Sequence, residues 1–434
     1  MYDLVIYGAS GFTGSRIAHQ AVRILGAKVS LALAGRTQAK LEAVKRELCH
    51  AFPDLAPALA SKVGIIIAST ADVDSLAAMA GVGKVVVNAV GPFRMHGEPV
   101  VAACAAAGTD YVDVSGEPEF IETMAARYDD AAKASGALIV SACGMDSIPC
   151  DMGVVHAAQL AAAEGLVPTA IEAYLSVSTA AVPGVGSVVI NAGTWDSLIY
   201  SFANVAALRA LRRAHPMPRL EFDARRSTSF PRRGKTFTPP ADVGAAYAVP
   251  FMGADASVVR RSQAARQAAG DKPVRFGVFL TLPSLKALIM YMAWGFVFGI
   301  FASFRLGRSF LLRFPFLCSL GKVSRDGPNA VTRAATTLSL NMVTKAVPAD
   351  AADPASTDAP PVATLHTRIE INDPGYDGTA ACVVQCAATM LEERTALPPG
   401  GVTTSAAAFA GSKLLDRLAD SPITFTRVAA TSSS

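Results

Sequence analysis

Cysteine and histidine motifs for metal or disulfide sites are missing from this sequence. The seven cysteines form no Cys-x-x-Cys pair, and their odd number argues against a complete disulfide framework. The six histidines show no spacing typical of metal ligands. We therefore expect a protein of a reducing compartment that binds no metal.

Charged residues, aromatic residues and long basic runs are also scarce. Charged residues make up 17% and aromatic residues 7% of the 434 positions, and the net charge is +4. Without a basic run interleaved with aromatics, nucleic acid is not the expected partner. The first apolar run, residues 4–7, follows Asp3 and is too short for a signal peptide, so we expect a protein that is not secreted.

Apolar residues are abundant instead, at 51% of the chain, and the length predicts two or three domains. Across residues 1–150, short continuous apolar runs such as 29–34 and 85–88 alternate with helical stretches. This alternation is typical of a parallel sheet covered by helices on both faces. It predicts an α/β fold that begins with a doubly wound Rossmann domain over residues 1–150.

The pattern changes after Pro149, which predicts a second, α+β domain over residues 151–347 for substrate binding or oligomerisation. Residues 209–275 look irregular, and residues 348–361 are a Pro/Ala/Asp-rich linker. We expect residues 362–434 to complete the second domain, with a last helix over 405–419. Whether this part returns to the Rossmann domain stays open.

A glycine-rich loop directly follows the first predicted strand and opens the first predicted helix. Its GxxGxxG pattern lets the backbone turn tightly and approach a pyrophosphate, which the helix N-terminus then attracts. The cofactor-contacting residues expected here are Gly8, Ser10, Gly11, Phe12, Thr13 and Gly14.

The end of the second predicted strand indicates which dinucleotide binds. An acidic residue that would hold a ribose 2′-hydroxyl is missing there, and Arg36-Thr37 can bind a 2′-phosphate instead. This pattern favours NADP(H). After the fourth strand, Asn88 and a Gly-Pro turn are expected to approach the nicotinamide half, with Asn88 alternatively fixing the turn; the contacting residues predicted there are Asn88, Gly91, Pro92 and Phe93.

Catalytic residues cannot be assigned from spacing alone, because no acid–base pair with a catalytic spacing is present. Asp146, Ser147 and Asp151 lie where the sixth strand leads into the next domain, an expected interdomain crevice. The same residues are ordinary turn and helix-capping groups. His96, after the Gly-Pro turn, is the other candidate proton donor.

Residues 287–304 form an apolar run of 18 residues without a charge, with Arg305, Arg308 and Arg313 after it. Three interpretations remain open. The run inserts into one lipid leaflet, with the arginines on headgroups. It is buried in a dimer interface or a greasy pocket. It crosses the membrane, for which about 20 residues are needed.

Several blocks together resemble the saccharopine dehydrogenase-like oxidoreductases, a family related to saccharopine reductases and mycobacterial trans-acting enoyl reductases. They include GASGFTG (8–14), NAVGPFRMHGEPVV (88–101), YVDVSGEPEF (111–120), CGMDSIPCDMGV (143–154) and GTWDSLIY (193–200). The resemblance implies cofactor contacts for the glycine loop, Arg36 and the turn at 91–93. It also implies association with lipid droplets and organelle membranes. An acidic residue common after the third strand in this family is replaced by residues 68–70, Ala-Ser-Thr.

We therefore expect an NADP(H)-dependent oxidoreductase that acts on a lipophilic or lipid-linked substrate at a membrane or lipid droplet. The expected location is the cytosolic face, with a mitochondrial location and a homodimer left open. Two alternatives remain. A saccharopine reductase would need clustered cleft arginines, for which the candidates are Arg225, Arg226, Arg260 and Arg261. A lipid-droplet or membrane scaffold would retain the nucleotide without turning it over.

Overall fold

Two sheets organise the structure, a computed structural model that describes residues 1–222, 230–349 and 362–428. The first sheet has seven strands, all parallel, and the second has six strands of mixed direction. Arg225 and Arg226 lie outside the described residues, as does the predicted linker 348–361 apart from its first two positions.

The first 140 residues supply six strands of the parallel sheet. These strands are β1 (Tyr2–Tyr7), β2 (Leu31–Gly35), β3 (Gly64–Ile67), β4 (Gly83–Asn88), β5 (Asp110–Asp113) and β6 (Leu138–Val140). The helices between them are α1 (Phe12–Leu25), α2 (Gln38–Ala51), α3 (Ala56–Lys62), α4 (Val73–Gly81), α5 (Phe93–His96), α6 (Glu98–Ala107) and α7 (Pro118–Ser135). The spatial order β6-β5-β4-β1-β2-β3 reverses between β4 and β1, as in a Rossmann fold.

The rest of the chain contributes, within the described residues, the six strands of the second sheet, three strands outside that sheet and the remaining α-helices. Its strands are β7 (Leu166–Thr179), β8 (Ile190–Asn191), β9 (Tyr247–Pro250), β10 (Arg275–Leu282), β11 (Val323–Ser324), β12 (Thr336–Pro348), β13 (Ala363–Asn372), β14 (Gly401–Thr403) and β15 (Ile423–Val428). Its helices are α8 (Ile148–Ala163), α9 (Ala192–Ala203), α10 (Val205–Ala214), α11 (Asp255–Ala268), α12 (Leu285–Ser303), α13 (Arg305–Arg313), α14 (Pro315–Cys318), α15 (Ala330–Ala334), α16 (Thr379–Glu393), α17 (Ser405–Phe409) and α18 (Leu414–Ala419).

The second sheet has the order β15-β13-β12-β7-β10-β9, in which only β7 and β10 run parallel. β8 and β11 form a separate parallel pair beside α9. The sequence therefore predicts the fold class correctly, an α/β Rossmann sheet with a second α+β domain. The domain bounds given above stay a prediction.

Helices cover both faces of the parallel sheet. Side chains of α4, α6 and α7 pack on one face, and side chains of α1 and α2 pack on the other. The second face is completed from far along the chain by α16, in which residues 379–390 are all buried. α16 packs on α1, β4 and β5.

The C-terminal part contributes to both sheets. β14 extends the parallel sheet next to β6, and β15 pairs with β13 in the second sheet. The single helix predicted over 405–419 is wrong, because Gly411-Ser412 interrupts it and the Ser412 hydroxyl donates to the Phe409 carbonyl oxygen. The interpretation of 209–275 as irregular is also wrong for the stretch that forms α11.

Three helices after β10 form an apolar unit with α9. Trp195, Ile199, Phe298, Ala302 and Leu311 make its core. α12 is the one described helix that is long and apolar enough to cross a membrane by length and composition, yet only two of its 19 residues are buried in the protein. A large apolar surface therefore remains exposed.

Candidate active site

The glycine loop joins β1 to α1 so tightly that side chains at Gly8 and Gly14 would clash. Gly8 has φ +86°, and a Cβ at Gly14 would lie 2.1 Å from the Gly8 oxygen, so the helix packs directly on the end of the strand. Gly11 caps α1 without a side-chain hydrogen bond, which leaves the first N–H groups of the helix open to a ligand. Ser10 is exposed beside Gly35.

Arg36 and Thr37 lie exposed at the adjacent carboxyl end, that of β2. Thr37 is the N-cap of α2, but its hydroxyl makes no capping hydrogen bond and remains available. Burial raises the pKa of the Tyr7 hydroxyl, and the nearby charge of Arg36 opposes this shift. Arg36 thus lies near the end of β1, beside the loop that would hold the pyrophosphate.

The loop after β3, with Ala68-Ser69-Thr70, packs against the end of β2. The Ala68 N–H donates to the Gly35 oxygen at 3.0 Å, which holds this loop against the end of β2. The first carboxylate after it, Asp72, accepts from the Ser75 N–H and caps α4. Its side chain is therefore engaged in a helix cap.

Asn88 belongs to a buried polar network under the carboxyl ends of β4 and β5. Its Oδ1 accepts from the Val90 N–H at 3.0 Å, and its Nδ2 donates to the Tyr111 hydroxyl at 3.1 Å. Tyr111 in turn donates to Asp113, which also accepts from the Ser115 hydroxyl. An amide NH₂ has two N–H groups, and the second one on Asn88 could still donate to a cofactor. Contact of Asn88 with the nicotinamide half stays a prediction.

The predicted turn at residues 91–93 follows β4 and leads into α5. A Cβ at Gly8 would lie 2.7 Å from Val90 Cγ2, so this turn and the glycine loop meet at the reversal point of the sheet. Glu117, after β5, accepts from the backbone N–H groups of Phe93 and Arg94. Glu117 is not among the residues that the sequence predicts for the site, although it lies within one of the family blocks.

The candidate proton donors differ in access. Asp146 is half-buried against Gly116, and burial raises the pKa of its carboxyl to about 6. Ser147 is fully buried, and its Oγ has no hydrogen-bond partner among the described residues. His96 is half-buried at the end of α5.

Asp151 is buried and its contacts are structural. Its Oδ2 accepts from the Ser262 hydroxyl at 2.6 Å, the Ser405 hydroxyl at 2.7 Å and the Ala406 N–H at 2.7 Å. One carboxylate therefore joins α8, α11 and α17. An acid–base role for Asp151 stays a prediction.

Helix α9 is hydrogen-bonded to the segment after β5 and lies, through Tyr376, next to the start of α1; the space between these segments is called the cleft. At its start, the Asn191 N–H donates to the Tyr376 hydroxyl, and the Tyr376 ring packs edge-on against Phe12 at 4.7 Å between ring centroids. Near its middle, the Ser197 hydroxyl donates to Glu117 at 2.7 Å. α9 thus connects to both loops that flank the reversal point.

The carboxyl of Asp196 in α9 is half-buried next to the contact between Ser197 and Glu117. Burial raises the pKa of Asp196 to about 6, against an opposing effect of Arg325. Asp196 lies within the family block at residues 193–200, but it is not among the residues that the sequence predicts for the site.

The arginines needed by a saccharopine reductase are not gathered in this cleft within the described residues. Arg260 is exposed on α11, and Arg261 lies near Glu122 and Asp129 of α7. Within the ranges that the structure describes, no group of three His, Cys, Asp or Glu side chains could hold a metal.

A Rossmann sheet with an open helix N-terminus, an exposed arginine where a 2′-phosphate is expected, and a second domain is typical of a nicotinamide-dependent oxidoreductase. Comparison with known proteins agrees. Residues 4–140 match the family of the saccharopine dehydrogenase NADP binding domain. The chain is 36% identical to a probable mitochondrial saccharopine dehydrogenase-like oxidoreductase of Arabidopsis thaliana, over 98% of this chain and 96% of that protein.

This chain therefore belongs to the saccharopine dehydrogenase-like oxidoreductase family and binds NADP(H). It is also 33% identical to the "Lipid droplet localized protein" of Caenorhabditis elegans, over 98% of this chain and 97% of that one. A putative trans-acting enoyl reductase of Mycobacterium tuberculosis is 42% identical over 36% of each chain. The predicted family, cofactor and enzyme class are confirmed.

A solved structure shares this fold. Apo saccharopine dehydrogenase (L-Glu forming) from Saccharomyces cerevisiae superposes with a TM-score of 0.51, over 99% of this chain and 100% of that one. The identity is 13%, so this similarity shows the shared fold alone.

Exchanging Arg36 for glutamate is expected to reverse or abolish the preference for NADPH over NADH. The guanidinium that would pair with the 2′-phosphate is replaced by a carboxylate that repels it and can accept from the ribose 2′-hydroxyl. Thermal-shift titrations with both nucleotides measure the preference. Arg46→Glu, at an exposed position of the following helix α2, is the matched control. Unchanged selectivity in Arg36→Glu would contradict the assignment.

Replacing Asp255 by asparagine is expected to make the protein more thermally stable than the wild type, by a margin that grows as the pH rises. Asp255 is 2% exposed, and burial raises the pKa of its carboxyl from 3.8 to about 8. The folded state therefore binds this proton more tightly than the unfolded state, and wild-type stability falls as the pH rises between these values.

Melting temperatures of both proteins between pH 4 and pH 8.5 test this expectation. The advantage of Asp255→Asn should be largest near pH 8 and shrink towards pH 4. The exposed Asp74→Asn controls for the loss of a carboxylate. An advantage that is equal at both ends of the range would refute the expectation.

Proposed function

We propose that this oxidoreductase transfers hydride between NADP(H) and a C=C, C=O or C=N bond of a lipophilic or lipid-linked substrate at a membrane or lipid-droplet surface. The observation that carries this proposal is the exposed apolar surface beside the cleft. Soluble monomeric proteins rarely expose apolar patches of more than a few hundred Å² without a binding role.

This apolar surface consists of the exposed large apolar side chains of α12, α13 and α14, of the single residues that join these helices and of the residue two positions beyond α14. They are Leu285, Ile289, Met290, Met292, Phe296, Val297, Ile300, Phe304, Leu306, Phe310, Phe314, Phe316, Leu317 and Leu320. A hairpin between α12 and α13 makes the surface compact, since a Cβ at Gly307 would lie 2.2 Å from the Phe301 oxygen.

The topology favours insertion into one leaflet over a membrane span. β10 before the apolar surface and β12 after it both pair with β7, so the chain enters and leaves the surface on the same side. A single crossing would separate two neighbours of one strand. Arg305 and Arg313 are exposed at the two ends of α13 and can reach lipid phosphates, while Arg308 donates to the Ala302 oxygen.

Helix α9 connects this surface to the cofactor cleft. Trp195 and Ile199 pack into the core under α12, where the Trp195 ring meets Phe298 at 5.3 Å between ring centroids. Asp196 and Ser197, next to Trp195 in the same helix, are the polar groups on the cleft side. Only α9 would therefore separate a lipid-linked substrate beside α12 from the nicotinamide.

Within the cleft, the bound NADP(H) would supply the hydride chemistry. The N-terminus of α1 would bind the pyrophosphate, and Arg36 with Thr37 would bind the 2′-phosphate. Among the predicted proton donors, Asp146 is the best suited, because it is half-buried and burial raises the pKa of its carboxyl to about 6.

The names of two relatives support the proposal. One relative is called a lipid droplet localized protein, and another is called a putative trans-acting enoyl reductase. We infer a location on the cytosolic face of membranes or lipid droplets. The mitochondrial name of the Arabidopsis relative makes a mitochondrial membrane the alternative location.

Purified protein is expected to float with phospholipid vesicles and to lose this ability when Phe296 or Leu306 becomes glutamate. Moving a charge into hydrocarbon is strongly unfavourable. Phe296 is 71% exposed and Met252, on another surface, is 70% exposed, so Met252→Glu is the matched control. Flotation by neither wild type nor control would refute lipid binding. A vesicle-free dimer that Phe296→Glu dissociates would instead assign the surface to a dimer interface.

Turnover of NADPH is expected when the protein receives a membrane lipid extract in vesicles, and Arg36→Glu should slow it. Product NADP⁺ and reduced lipid are followed by absorbance and mass spectrometry, with NADP⁺ supplied for the reverse direction. Turnover of saccharopine in place of lipid would favour the amino-acid dehydrogenase. Tight NADP(H) binding without turnover of either substrate would favour the scaffold.

A further inference from the structure

Glu117 is a buried carboxylate whose partners are all hydrogen-bond donors without a formal charge. Only 4% of the surface of Glu117 is exposed. Oε1 accepts from the Phe93 N–H at 2.9 Å, and Oε2 accepts from the Arg94 N–H at 3.0 Å. The guanidinium of Arg94 turns instead to Glu119, at 3.3 Å. Both oxygens of Glu117 therefore hold the backbone of the turn.

The two N–H groups that Glu117 accepts begin helix α5, directly after the Gly91-Pro92 turn. Groups at the start of a helix have no partner within it, so an external acceptor decides their direction. Glu117 is fixed in turn by the segment after β5, where Asp113 accepts from the Ser115 N–H and hydroxyl. The turn is thereby tied to the neighbouring strand.

A third donor reaches Glu117 from the second domain. The Ser197 hydroxyl of α9 donates to Oε1 at 2.7 Å. Burial raises the pKa of the Glu117 carboxyl, and the hydrogen bonds from Ser197, Arg94 and Phe93 lower it again. The bond from Ser197 thus connects α9 to the turn that follows β4.

This location matters for the cofactor. In a Rossmann sheet the dinucleotide lies across the reversal point between the two halves, here β1 and β4. The phosphates and the adenosine lie on the side of β1 and β2, whereas the nicotinamide lies on the side of β4. Glu117 contacts only the second side.

We propose that Glu117 is a positioning residue that sets the Gly91–Phe93 turn for the nicotinamide half of NADP(H), and that Ser197 makes this setting depend on the seating of α9. The proposal rests on the NADP(H) site and not on the lipid substrate. Its test therefore uses ligands that bind without turnover.

The test compares NADPH with adenosine 2′,5′-bisphosphate, which has the 2′-phosphate half and lacks the nicotinamide. In Glu117→Gln the carboxamide NH₂ faces one of the backbone N–H groups and loses that bond. We expect the dissociation constant of NADPH to rise about tenfold, because binding must then order a turn that Glu117 no longer holds, at a cost of about one hydrogen bond. Binding of adenosine 2′,5′-bisphosphate should not change. The fluorescence of bound NADPH should shift towards that of the free nucleotide.

Ser197→Ala removes only the donor from α9 and should produce the same fluorescence change to a smaller extent, which Ser197→Thr reverses. This variant carries the test if Glu117→Gln does not fold. Glu119→Gln is the matched control, since it removes a carboxylate two residues away that faces a side chain.

Equal weakening of both ligands by Glu117→Gln would mean a general structural role and would overturn the proposal. Wild-type NADPH affinity and fluorescence in Glu117→Gln would also overturn it. A wild-type fluorescence signal in Ser197→Ala would overturn the link to α9. None of these outcomes depends on whether a lipid is turned over.

Discussion

The requirement that a parallel sheet be covered on both faces governs this structure. The helices that follow β3, β4 and β5 pack on one face, so the other face is covered over β1 and β2 but would stay open over β4 and β5. Helix α16, which begins only at residue 379, closes this face with residues 379–390 buried. The Rossmann domain is therefore complete only when the C-terminal part of the chain has folded onto it.

This closure also builds the cleft. Because α16 and β14 attach the C-terminal part to the parallel sheet while β13 and β15 belong to the second sheet, the two sheets are held in one arrangement. Buried polar groups fix the junction, with Asp151 binding donors from α11 and α17 through one oxygen. α9 is bonded to the segment after β5 through Ser197 and Glu117, and its Trp195 and Ile199 pack under α12.

Local patterns could predict the first 150 residues because each βα unit carries its own signal. The predicted strand over residues 85–88 falls within β4, and the glycine loop lies where Gly14 packs on Gly8 without a side chain between them. The contact of Glu117 with Ser197 could not be predicted in this way. It joins positions 80 apart through one hydrogen bond, and the sequence blocks that contain the two residues do not show that they meet.

By itself, the sequence determined the Rossmann fold class, the preference for NADP(H) and the presence of an uncharged apolar segment, since periodicity, glycine spacing and composition are local properties. The tertiary structure alone decided which polar groups face the cleft and that the apolar segment leaves and rejoins the fold on one side. The physical reason is that burial and hydrogen-bond partners depend on distant segments that come together only in the folded chain. Asp151 illustrates this, because the turn that begins α8 is visible in the sequence while its partners lie more than 100 residues away.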